Sequence, residues 1–70
     1  MAVALQYLHV GDTLWYADKK VGSPVQYTVT EILGDTIYMK DRNGKEIVKK
    51  ANNKSLFISA RDATILLQGE

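Results

Sequence analysis

Asn43-Gly44 sits between two short runs of strand-forming residues, Thr36-Ile37-Tyr38-Met39-Lys40 and Glu46-Ile47-Val48-Lys49. Asn and Gly tolerate positive φ, so this dipeptide between alternating segments is the strongest short-range hairpin signal a chain can carry. It commits the middle of the chain to antiparallel strands. Gly34-Asp35 marks a second turn just before it. Upstream of that turn, Val25, Tyr27 and Val29 alternate with Gln26, Thr28 and Thr30, a period-two pattern that buries one face of a strand. The alternation slips at Thr30-Glu31, where a charge falls on the apolar face and Ile32 on the polar one. A β-bulge or a strong bend near that point would explain the slip, and small barrels need such bends. These three strands form a meander.

Two further strands are expected outside it. Thr13-Leu14-Trp15-Tyr16-Ala17 follows Gly11-Asp12 and is rich in β-formers. Asp18 to Pro24 is polar, closes on Gly-Ser-Pro and reads as a loop. Ser55-Leu56-Phe57-Ile58 is a short last strand. The segment after it admits two readings. Ser59 with Asp62 three residues on resembles a helix N-cap, and Ala63, Leu66 and Leu67 then share a helical face. Thr64-Ile65-Leu66-Leu67 could also continue as a strand. The cap favours the helix. Ala2 to Leu8 is compatible with a strand or a helical turn. The fold class is mainly β: one domain over residues 1–70, a small SH3-like five-stranded barrel, with a short C-terminal helix as the favoured reading of the last segment.

At 70 residues, with 46% hydrophobic and 24% charged residues, the chain is globular but near the lower size limit for an unassisted core. It has no cysteine, hence no disulfide or thiolate metal site to brace it. A cysteine-free chain suits a reducing compartment. The apolar start, MAVALQYLHV, lacks a basic n-region, and no apolar run approaches the roughly 18 residues of a membrane span. Cytoplasmic localisation is the expectation. A formal net charge of +1 gives no overall attraction to nucleic acid or an anionic membrane.

Three runs carry a resemblance. They are Val10-Gly11-Asp12-Thr13-Leu14-Trp15-Tyr16, Asp41-Arg42-Asn43-Gly44-Lys45-Glu46-Ile47, and Lys54-Ser55-Leu56-Phe57-Ile58-Ser59-Ala60-Arg61-Asp62-Ala63. Together they resemble small uncharacterised proteins of phages and prophages of Gram-positive bacteria, in which a Gly-Lys pair commonly opens the last of these patterns. Asn53 stands here in place of that Gly. The resemblance implies a phage-type accessory protein acting in the host cytoplasm, where such proteins bind host machinery or sequester host signals. It implies no catalytic activity.

The residues themselves offer little chemistry. His9 is the only histidine, and no nucleophile stands at a characteristic spacing from it. The carboxylates are scattered, and Asp12, Asp35 and Asp41 fall at turns, where Asp bonds its own backbone. No Gly-rich phosphate loop and no calcium loop is present. The reading is non-enzymatic, without metal or cofactor.

Two features suggest binding instead. Trp15 and Tyr16 are adjacent in a strand and must point to opposite faces, and Tyr38 shares the outward face of its own strand with Lys40. Between Lys40 and Lys54, the cations Lys40, Arg42, Lys45, Lys49, Lys50 and Lys54 are opposed only by Asp41 and Glu46. Aromatics beside cations can stack a base and hold its phosphate. The structural alternative is a small core covered by its aromatics and an edge hairpin guarded by its lysines. The candidate binding surface is Trp15 or Tyr16 with Tyr38, Lys40, Arg42, Lys49 and Lys50. Which lysine shares the Tyr38 face depends on the turn register. Three uses compete: inhibition of a host protein, an oligomeric sponge for a nucleotide-like signal with its site between subunits, and nucleic-acid binding, which the near-neutral charge disfavours.

Overall fold

The computed structural model describes residues 5–69. Its elements are a 3-10 turn (Leu5–Tyr7), five strands and one helix: β1 (Thr13–Asp18), β2 (Ser23–Leu33), β3 (Thr36–Lys40), β4 (Glu46–Lys50), β5 (Leu56–Phe57) and α1 (Ala60–Gln68). The sheet is antiparallel and curled into a half-barrel, in the order β4-β3-β2-β1-β5. The expected small-barrel class holds, and so does the meander. Residues 1–4, part of the undecided N-terminal segment, lie outside the described residues.

The chain's local chemistry explains each junction. The β2–β3 register shifts between Val29 and Glu31, so a bulge sits at Thr30. Ile32 thereby rejoins the core face opposite Ile37, and Glu31 is exposed beside Tyr38. The first connection is tighter than its composition suggested, because β2 already begins at Ser23. The Asp18 carboxylate accepts from the Lys20 and Val21 amides at 3.0 and 3.4 Å and closes the turn. Ser59 caps α1 with its hydroxyl accepting from the Asp62 amide at 3.2 Å, so the helical reading of the C-terminus is the correct one.

The β3–β4 turn sets the register of the strands that build the site. Asn43 keeps a negative φ, and Gly44 alone is left-handed, at φ +83°. The Gly44 amide donates to the Asp41 carbonyl at 3.0 Å, and the Asp41 amide to the Lys45 carbonyl at 3.0 Å. The Asp41 carboxylate also accepts from the Asn43 and Lys45 amides, each at 2.9 Å. This is a type I turn closed by a left-handed glycine rather than a two-residue Asn-Gly turn. A Cβ at Gly44 would meet no atom within 4 Å. The cost of a side chain there is therefore conformational rather than steric. Gly44→Val should destabilise the domain by about 1–2 kcal/mol, since a β-branched residue resists positive φ. Thermal melting by circular dichroism measures it, and an unchanged midpoint would contradict this turn.

The core lies on one face of the sheet. Leu14, Val29, Ile37, Met39 and Leu56 are fully buried there, with Tyr27 and Ala51 beside them. Leu5 and Leu8 cover this cluster from the N-terminal segment. The helix packs on β1, β2 and β5. It meets the face that carries Phe57, opposite Leu56, and its Leu66 shares an apolar recess with Phe57. Ala63, buried completely, lets α1 approach closely. Among the described residues, no helix is long and apolar enough to cross a membrane.

Candidate functional site

Strand direction places the site. β1 and β3 run toward one end of the sheet and β2 and β4 run back, so the 19–22 and 41–45 turns lie at the same end. β2 pairs with β1 as far as Ser23 opposite Asp18, but its pairing with β3 starts only at Thr28 opposite Lys40. The two hairpin tips therefore stand apart, with residues 23–27 of β2 exceeding the reach of β3. A recess of about 490 Å³ opens between them on the core face. That volume falls within the range of about 300–1,000 Å³ usual for small-molecule sites.

Its floor is Tyr16, Tyr27 and Ile47; its rim carries Lys19 and Lys20 from one tip and Lys45 and Lys49 from the other strand pair. Among the described residues, Asp18 is the one acid in the lining, and its carboxylate is already engaged by its own turn. The Lys49 ammonium lies 4.9 Å from the centroid of the Tyr16 ring, a cation–π contact. Tyr16 is half-buried and packs against the core, which fixes the ring. Burial raises the pKa of the Tyr27 phenol above its ordinary value, helped by nearby Asp41, Asp18 and Tyr16. Tyr27 thus stays a neutral hydroxyl at physiological pH.

The residues picked out from sequence divide between the two faces of the sheet: by register Trp15 shares the outer face with Tyr38, Lys40 and Lys50, as expected for one of the two adjacent aromatics, while Tyr16 and Lys49 lie on the other. Tyr16 and Lys49 come together in the recess. Tyr38 lies on the opposite face of the sheet, half-buried, opposite Val48 and Glu31. Lys40 and Lys50 share that outer face; Lys40 faces Thr28 and Glu46, and Lys50 lies 3.7 Å from the Asp35 carboxylate. The expected grouping of Tyr38 with Lys49 is corrected by register: Lys49 pairs with Ile37, one residue past the outward position. Trp15 and Arg42 occur together in a separate shallow recess of about 300 Å³, with Pro24, Gln26 and Asn43. Lys20 and Tyr27 were not anticipated as site residues. Counting strand directions would have put both hairpin tips at one end of the sheet and so Lys20 at the same end as Lys45.

Elsewhere the chemistry is sparse. His9 is exposed and 4.0 Å from the Asp12 carboxylate, which accepts from the His9 amide. Among the described residues, no three potential metal ligands come together. No family model, no curated protein and no solved structure matches the chain.

Proposed function

We propose that the protein is a non-enzymatic binding module for a small phosphate-bearing ligand with an aromatic ring, such as a nucleotide-like signal. One observation carries this reading: four lysines surround a two-tyrosine floor in a single open recess. Cations placed by two separate hairpins attract a phosphate, and a fixed aromatic ring offers a stacking surface indifferent to base identity. Lys49 connects the two roles. Its flexible stem can swing the ammonium off Tyr16 onto a phosphate, exchanging a cation–π contact of about 0.5–1 kcal/mol for a charge-assisted one and freeing the ring for the base.

Titration with AMP, followed by amide chemical shifts, tests the proposal. Shifts should concentrate at residues 16–20, 27 and 45–49. Shifts on the Tyr38 face, or none at millimolar AMP, would refute it. A second reading, inhibition of a host protein by a phage-type accessory protein, is supported by a different feature. Phe57, Ile65 and Leu66 line an apolar recess of about 310 Å³, with Ile58 and Ile65 exposed nearby. A partner docking there would perturb α1 and β5 and leave the tyrosine recess unchanged.

A further inference from the structure

The recess has cations on two sides, and this says more about the ligand than its chemical class. Lys20 belongs to the 19–22 turn, whereas Lys45 and Lys49 belong to β4 and the turn that precedes it. These elements are not sequential neighbours in the sheet: β2 and β3 separate β4 from β1. The tyrosine floor lies between the two basic rims. A ligand with one phosphate at one end can satisfy only one rim. It would leave the cations of the other rim unmet by the ligand, a positive charge that favours a second anion.

Among the described residues, the acids at the two hairpin tips do not bridge the rims. Asp18 is bonded to the amides of its own turn, and Asp41, at the other tip, to the amides of Asn43 and Lys45. Both carboxylates shape the tips rather than bridge them. The recess is also open rather than enclosed, so a chain of atoms can enter at one rim and leave at the other.

Resting on the nucleotide reading, we propose that the recess holds a nucleotide unit with a phosphate at each end of its ribose, Lys20 taking one phosphate and Lys45 with Lys49 the other while the base lies on Tyr16. That unit is the repeat of a single nucleic-acid strand and also of a cyclic dinucleotide. In both, each ribose carries a phosphate at either end.

Calorimetric titration of the intact chain with AMP, adenosine 3′,5′-bisphosphate, a short oligoadenylate and a cyclic adenine dinucleotide tests this. The bisphosphate should bind about tenfold more tightly than AMP, the worth of one added charge-assisted contact. Lys20→Gln should bring bisphosphate affinity down to the AMP level, and Lys20→Arg should retain it. Lys20 is exposed in a turn, so both variants should melt like the parent, which circular dichroism verifies. Whichever of the strand and the cyclic dinucleotide exceeds the bisphosphate identifies the source of the unit. If AMP and the bisphosphate bind equally, the two-phosphate inference is overturned while the nucleotide reading stands. If bisphosphate binding is indifferent to Lys20→Gln, the inference falls in the same way. If none of the four binds, both fall.

Discussion

Ile37→Ala should leave the domain largely unfolded at physiological temperature. Ile37 is completely buried at the centre of β3, flanked by Ile32 across one pairing and Lys49 across the other. It packs in the cluster that includes Leu14, Val29, Met39 and Leu56. Truncating a buried isoleucine removes its transfer free energy and leaves a cavity, together about 2–5 kcal/mol. Domains as small as this have little to lose, because total stability scales as about 0.05–0.15 kcal/mol per residue. No disulfide limits the unfolded ensemble, since the chain has no cysteine. For a domain of this size each kcal/mol moves the midpoint by about 4–8 °C, so a fall of 10 °C or more is expected in a thermal melt. Val48→Ala supplies the contrast. Val48 is nearly half exposed on the outer face and should shift the midpoint by only a few degrees. If the two variants melt alike, the core is not on the face assigned to it.

Much of this architecture was legible because the rules that produced it are local. Val25, Tyr27 and Val29 identify the core face of β2 through period two alone. The break in that period at Thr30-Glu31 located an irregularity, bulge or bend, and the register shift there makes it a bulge that returns Ile32 to the core face. Ser59 and Asp62 identified the start of α1 through capping chemistry. The site was less legible because it depends on register, which a single residue decides. If Asn43-Gly44 were a two-residue turn, Arg42 would oppose Lys45, and Tyr38 would oppose Lys49 on the outer face. Asp41 instead uses its carboxylate to stabilise a longer turn, so Lys40 opposes Glu46 and Tyr38 opposes Val48. That shift of one position moves Lys49 to the inner face and onto Tyr16. The partner of Lys49 was therefore set by a side chain in the turn. Asn-Gly propensity favours the other geometry.

Replacing Tyr16 with Ala should weaken binding of a base-bearing ligand by about 1–3 kcal/mol, a loss of roughly 5- to 150-fold in affinity. The ring is the one aromatic surface that the recess holds under a cation, and its packing against the core keeps it in place. Because Tyr16 also packs, the truncation will cost stability, and affinity must be compared at a temperature where both proteins are folded. Tyr16→Phe resolves the two effects: it preserves the ring and the packing and should keep most of the affinity. Tyr38→Ala is the control for position. Tyr38 is aromatic, half-buried and two strands from Tyr16 through the sheet order, but it faces outward and should leave AMP binding unaltered. Lys49→Gln should weaken binding and reduce its dependence on salt, because one fewer phosphate contact releases one fewer counterion. Its effect should also be smaller for a ligand without phosphate, such as adenosine, than for AMP. Equal losses for adenosine and AMP would mean that Lys49 acts only by holding Tyr16 in place. Loss of AMP binding in Tyr38→Ala, with Tyr16→Ala unaffected, would move the site to the other face of the sheet.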